Sequence, residues 1–200
     1  MNVSAIIMAA GLSKRMNQNK LMMKINEKYI YEFIFETISM CSDCFNDVIV
    51  VAKETEILEK ACEFGFHAVK NEISHLGQSA SVRLGVENSN KADGYMFFVA
   101  DQPFIKDDTI KMLLSVFKKN PNSIIIASYN GMNGNPVIFP KLFKTQLLNL
   151  EGDIGGKIII KNNLDKLIRV HIDTEDEFID IDTLKDYERI LKKVIDWTEK

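Results

Sequence analysis

Apolar positions along this chain fall into two alternating patterns. Short continuous apolar runs at residues 3–9 (VSAIIMA), 47–52 (DVIVVA), 95–100 (YMFFVA) and 123–128 (SIIIAS) read as strands buried on both faces, as in a parallel sheet. Shorter extended pieces are predicted at 67–69, 136–139 and 167–172, with a small apolar piece at 21–25. Between them, residues 29–40, 54–64, 107–118, 141–150 and 184–197 carry apolar residues at helical spacing. Gly65 is a natural stop for the second of these helices. Residues 76–85 read as a loop entering a helix that Ser79 or Ser81 caps, leaving backbone N–H groups free at its start. Residues 129–135 (YNGMNGN) are dense in turn formers and predict a hairpin that projects from the sheet and walls a pocket. Residues 178–183 form an extended segment feeding the last helix, with Asp180 and Asp182 pointing to the same side by alternation. Strand and helix signals therefore alternate along the chain, which predicts an α/β fold.

The composition narrows the choices only moderately. Two hundred residues with 46% apolar content suffice for one sizeable core, so a single domain over residues 1–200 is expected. A net charge of −3 argues against a general nucleic-acid binder, and any polyanion must be gripped locally. With no apolar run near the roughly 20 residues a membrane helix needs, and no leader pattern at the start, the expected location is the cytoplasm, with no membrane partner. Cys41 and Cys44 have CxxC spacing, but no second pair or histidine cluster completes a zinc site, and they end a helix instead of opening one. Buried apolar cysteines are the simpler reading.

Three stretches carry candidate chemistry. The first strand breaks at Ala10-Gly11 into a loop with Ser13, Lys14 and Arg15, followed by Lys20. A glycine turn, a hydroxyl and cations at the carboxyl end of a buried strand suit a polyphosphate, although a plain βα turn with solvated basic residues has the same spacing. Asp101 stands where a fully apolar strand ends, a place where a carboxylate is costly unless paired or bound to a metal. Magnesium, which takes one or two carboxylates and completes its shell with water and phosphate oxygens, would suit it. A helix-capping role for Asp101 is the alternative, but the following helix has its own start signal at residues 106–109. Near the end, Asp182 or Thr183 can cap the last helix, and Thr183 with Asp186 resembles a capping box. Asp180 has no such duty and is the better partner for Asp101 at a metal.

Taken together these pieces resemble a known family. The residues Ala9-Ala10-Gly11-Leu12-Ser13-Lys14-Arg15-Met16 with Lys20-Leu21 are similar to the signature of nucleotidyltransferases that act on the molybdenum cofactor, and within them to the cytidylyltransferases. Gly77-Gln78-Ser79-Ala80-Ser81, Asp101-Gln102-Pro103, Gly134-Asn135-Pro136-Val137, Gly152-Asp153-Ile154-Gly155-Gly156 and Asp180-Ile181-Asp182-Thr183 follow in the family's order. The resemblance implies a single Rossmann-like domain with a mostly parallel sheet flanked by helices. It further implies magnesium-dependent transfer of CMP from CTP to the terminal phosphate of molybdopterin, releasing pyrophosphate, with a molybdoenzyme as recipient.

On that resemblance Ala10, Gly11, Ser13, Arg15, Lys20, Gln78, Ser79 and Ser81 would bind the nucleotide. Arg15, Lys20 and Asp101 would be catalytic, and Asp101, Asp180 and Asp182 would be the candidate metal ligands. Asn133, Asn135, Pro136, Asp153, Gly155 and Lys157 would face the pterin. Two positions depart from the family pattern: Asn17 stands where glycine is usual, and Lys157 where arginine is common. Guanylyl-transferring relatives tend to have glycine where this chain has Ala10, so CTP is expected over GTP. A guanylyltransferase is the alternative, and a cofactor-delivery chaperone without transfer chemistry is the alternative of another class. A dinucleotide oxidoreductase fits less well, since a GxGxxG loop is absent and the loop here carries cationic side chains instead.

Overall fold

The first strand, β1 (Val3–Ala9), lies mid-sheet because both of its faces are apolar: Ala5, Ile7 and Ala9 pack to one side and Ile6 to the other. A computed structural model describes the chain apart from residues 14, 17, 199 and 200 and the side chains of residues 195–198. Lys14 and Asn17, both singled out above, lie outside the described residues. After β1 come a small hairpin, β2 (Lys24–Ile25) with β3 (Lys28–Tyr29), then α1 (Ile30–Met40), β4 (Asp47–Ala52), α2 (Thr55–Glu63), β5 (His67–Lys70), α3 (Gln78–Glu87), β6 (Gly94–Val99) and α4 (Asp107–Lys119). The remainder is β7 (Ile124–Tyr129), β8 (Met132–Pro140), α5 (Lys144–Leu148), α6 (Lys157–Lys161), β9 (Leu167–His171) and α7 (Leu184–Thr198).

Seven strands form one sheet in the order β5-β4-β1-β6-β8-β7-β9, and only β8 runs antiparallel to its neighbours. The helices sort into two layers by their apolar faces. Ile30, Ile34 and Ile38 of α1, Ile57 of α2, Leu113 and Phe117 of α4 and Ile190 of α7 cover one face. Val82 and Val86 of α3, Leu147 of α5 and Ile159 of α6 cover the other. This is the α/β domain with a mostly parallel sheet that the sequence predicts, and helices on both faces explain why its strands read as unbroken apolar runs.

Local departures from the sequence reading have physical causes. The hairpin turn is only Asn130-Gly131, both in the left-handed region (φ 48° and 77°), so β8 begins at Met132 instead of at Pro136. A two-residue turn of this hand matches the strand twist, which lets the ladder resume at once. The last third of the sheet face is closed by α6, which is too short for its apolar period to be legible. Neither Ser79 nor Ser81 caps α3. Gly77 is the N-cap residue with φ +100°, and a Cβ there would fall 2.6 Å from the Gly152 carbonyl, so close approach of another loop demands glycine. Cys41 is buried, and burial pushes its thiol up to about 11, which agrees with a packing role.

Helix α3 sits tightly on β1, since a Cβ on Gly85 would lie 2.4 Å from Ile6 Cγ2. Gly85→Ala should therefore cost about 1–3 kcal/mol through overpacking, measured by urea unfolding at neutral pH. An unchanged midpoint would show that this contact has slack.

Candidate active site

The carboxyl ends of β1, β4, β5 and β6 all face the same edge of the sheet because these strands are parallel. That edge is where open α/β sheets bind ligands. The chain leaving β1 forms a loop in which Ser13 takes a left-handed φ of 46°, and the Ser13 hydroxyl accepts a hydrogen bond from the Lys20 amide at 3.2 Å. Ser13 thus folds the loop back on itself. Gly11 instead keeps the cavity clear, since nothing lies within 4 Å of where its Cβ would be.

Lys20 is the centre of the site. Its side chain is 11% exposed, and its Nζ lies 2.5 Å from Asp101 Oδ2 and 2.9 Å from Asp182 Oδ1. Arg15, on the more exposed side, reaches the second oxygen of Asp182 at 2.7 Å. Three distant parts of the chain are joined here: the loop after β1, the end of β6 and the segment before α7. The Ile181 amide adds a 3.1 Å hydrogen bond to the Asp101 carbonyl, which fixes the segment's register. Behind it, the buried Glu177 carboxylate accepts from the Lys106 amide at the start of α4. Thr183 and Asp186 form the predicted reciprocal cap of α7, with the Thr183 amide donating at 2.8 Å and the Asp186 amide at 3.2 Å. With that cap filled, Asp182 is released to face Lys20.

The charges respond to this arrangement. Burial works to lower the Lys20 pKa, but Asp101 and then Asp182 more than offset it, and the net shift is upward. Asp182 is raised by burial and lowered more strongly by Lys20 and Arg15, so it falls below the usual carboxylate value. Asp180 goes the other way, pushed up by desolvation and by the negative charge of Asp101, while Gln102 Nε2 donates to it at 2.6 Å. Among the described residues, no three carboxylate, histidine or thiol groups converge closely enough to hold a metal. The gap between Asp101 and Asp182 is filled by the Lys20 ammonium.

Two cavities open at this edge. The first, of about 700 Å³, is lined by Ala10, Gly11, Ser13, Arg15, Lys20, Gln78, Ser81, Asp101, Asp153 and Asp182, together with His75 and Leu76. The second, of about 600 Å³, is lined by Gln78, Asn133, Asn135, Lys157 and Asp180, with Gln102, Tyr129 and Phe178. Met8 and Gln78 belong to both, so the cavities meet there. Residues singled out for a nucleotide and residues singled out for a second substrate are thus largely segregated into adjoining spaces.

Several placements differ from expectation. Asp153 lies in the first cavity, where its carboxylate accepts from the Gln78 amide at 3.3 Å, and the Gly152 carbonyl accepts from the Ser79 amide at 3.3 Å. The amides expected to be free at the start of α3 are therefore partly occupied. Ser79 is buried and lines neither cavity, and Ser81 accepts from Asn71 Nδ2 at 3.0 Å. Pro136 lies within β8 outside both linings, and Gly155 acts from behind: a Cβ there would fall 2.2 Å from Gln78 Oε1. Asp180 and Asp182 line different cavities, because the segment joins no strand and strict alternation does not apply to it. Gln102, Asn71, Tyr129 and Phe178 were not singled out. Gln102 was visible in the motif Asp101-Gln102-Pro103, whereas nothing local marks Phe178, whose place depends on a distant hairpin.

An open, mostly parallel sheet thus carries a cation-bearing loop at its carboxyl edge, with acids facing it. Residues 5–167 match the family model of the MobA-like NTP transferase domain, and the chain belongs to that family. It is 32% identical over 132 residues to a probable molybdenum cofactor guanylyltransferase of Natranaerobius thermophilus, covering 65% of this chain and 62% of that protein, somewhat under two thirds of its length. The purine catabolism protein PucB of Bacillus subtilis is 27% identical over 92% of this chain and 94% of its own. In fold, the chain is similar to Rv0371c of Mycobacterium tuberculosis solved in complex with manganese, with a TM-score of 0.77, 20% identity, and coverage of 96% of this chain and 99% of that one.

Asp182 provides a pH test. Because pairing lowers its folded-state pKa, the stabilisation is present above the unfolded value and is lost as pH falls through the folded one. Asp182→Ala should cost about 1 kcal/mol at neutral pH, a figure kept small by solvent access, and the difference from wild type should vanish in acid. Unfolding curves at several pH values check both size and sign; a deficit that persists unchanged in acid would show that the ion pairs are not its source.

Proposed function

We propose that the protein transfers a nucleotidyl group from a nucleoside triphosphate to the terminal phosphate of molybdopterin, releasing pyrophosphate. The observation that carries this reading is the pair of adjoining cavities that meet at Met8 and Gln78, the first lined by the loop after β1 with Lys20 and Asp101 and the second without them. In the transfer, an oxygen of the acceptor phosphate forms a bond to the α-phosphorus as the bond to the pyrophosphate oxygen breaks. No protein nucleophile is needed for such chemistry, which rests on positioning and charge stabilisation. The amides around Gly11, the Ser13 hydroxyl and the Arg15 guanidinium hold the triphosphate, and Lys20 neutralises charge gathering at the α-phosphate. Asn133, Asn135 and Lys157 line the acceptor side, with Gln78 at the junction.

The fold neighbour solved with manganese directs attention to a divalent metal, and the acids here suit one in kind. Asp101 and Asp180, with Asp182 beside them, offer the hard oxygen donors that magnesium or manganese takes. Asp180, held above its ordinary value by burial and then by the negative charge of Asp101, is a carboxylate that added positive charge would favour. A metal held there would supply positive charge to offset the negative charge of the nucleotide phosphates. Asp101 with one of Asp180 and Asp182 would hold it, the remaining positions being left to water and phosphate oxygens.

Two observations bear on the base and point apart, and the names of the relatives give guanylyl transfer the stronger support. The Natranaerobius relative's name favours GTP. Ala10, nearly buried and lining the first cavity, favours CTP if its methyl narrows the approach to a purine. Calorimetric titration with GTP, CTP, ATP and UTP in the presence of magnesium separates them. Tight binding of GTP alone assigns a guanylyltransferase, and tight binding of CTP alone a cytidylyltransferase whose preference Ala10→Gly should relax. Asp101→Ala should lower turnover roughly 100-fold or more in a pyrophosphate-release assay with molybdopterin. Cofactor delivery without pyrophosphate release would point to a chaperone instead.

A further inference from the structure

Lys20 occupies the position that a cation would take between Asp101 and Asp182. It is more than a nearby positive charge: its ammonium is within 2.9 Å of one oxygen from each acid, and its backbone is anchored by Ser13 and by the turn at Lys20–Met22. Arg15 holds the other oxygen of Asp182. Around these two cations stand the three carboxylates of Asp101, Asp180 and Asp182, so the local charge is close to balanced. A divalent cation arriving alone meets carboxylate oxygens already engaged and little net negative charge. A triphosphate arriving alone would draw Lys20 and Arg15 toward itself and leave three carboxylates facing its own negative charge. A metal alone must therefore compete with Lys20 for the same oxygens, whereas a triphosphate offers the ammonium another anionic partner and frees those oxygens for the metal.

We infer that Lys20 is the resident counter-ion of the metal site, displaced from Asp101 and Asp182 onto the phosphates when nucleotide and divalent cation enter together. The inference rests on the nucleotidyltransferase reading for the identity of the second ligand, but its first half concerns the metal alone. Lys20 thereby serves twice, as a surrogate cation in the free protein and as a phosphate ligand in the loaded one. Binding energies coupled in this way are reciprocal, so the nucleotide strengthens metal binding by the same factor as the metal strengthens nucleotide binding.

The test uses manganese alone, followed through the paramagnetic resonance of the free ion, with no nucleotide and no turnover. Wild type should bind manganese weakly. Lys20→Met should bind it more tightly by about tenfold, an ordinary size for coupled sites, and adding Asp101→Asn to that variant should abolish the gain. Equal affinity in wild type and Lys20→Met, or a gain that survives loss of Asp101, overturns the inference. If Lys20→Met lacks a cooperative melting transition, Lys20→Gln takes its place with the same outcomes. Wild-type melting gives a second readout free of any substitution: manganese alone or nucleotide with a chelator should shift the transition little, and both together should raise it. A full shift with manganese alone overturns the inference. Failure of every nucleotide to add a shift, with the Lys20→Met gain intact, would reject the nucleotidyltransferase reading and leave Lys20 as the counter-ion.

Discussion

The bond network of a single ammonium ion holds the working edge of this protein together. Lys20 reaches Asp101 at the end of β6 and Asp182 just before α7, and through Ser13 its own backbone closes the loop after β1. Without a cation in that position, the carboxylates would repel one another in a partly dehydrated space, and the segment carrying Asp180 and Asp182 would lose an ionic attachment that adds to the burial of Ile179 and Ile181 in the core. Other contacts reinforce this attachment without replacing it. The Ile181 amide meets the Asp101 carbonyl, and Glu177 meets the start of α4.

Around this centre, the second cavity is shaped mainly by what glycine leaves room for. A side chain on Gly155 would collide with Gln78, one on Gly134 with the ring of Phe178, and one on Gly156 with the ring of Phe139. Phe178 in turn stacks on Tyr129, with centroids 5.8 Å apart, so the segment before α7 is pressed against the hairpin of β7 and β8. The loop with Gly152 and Asp153 meanwhile occupies the first amides of α3. These close approaches couple the wall of the second cavity to the residue, Gln78, that both cavities share. A change in one loop is therefore felt in the other.

What the sequence determined by itself was whatever depends on local pattern. Unbroken apolar runs required strands covered on both faces, helical spacing supplied most of the covering layers, and the turn formers of residues 129–135 specified a hairpin without fixing its turn at Asn130-Gly131. The cationic loop after β1 and Asp101 stood out in the sequence because a cationic loop and a carboxylate at the ends of apolar strands are locally anomalous. The capping box of Thr183 and Asp186 could be read for the same reason, since all of its partners lie within one turn.

Only the tertiary structure decided how these pieces share work. That Lys20 sits between Asp101 and Asp182, 81 and 162 residues away, follows from strand order and from the anchoring of the last segment, neither of which has a local signal. Alternation placed Asp180 and Asp182 on one side, yet the segment joins no strand, and long-range contacts sent them to different cavities. Ser79 and Ser81 looked like helix caps because serine usually is one at such positions. The approach of Gly152 left space only for Gly77, and the serines were turned inward. Local chemistry selects which residues are unusual, whereas packing between distant segments determines which of them meet.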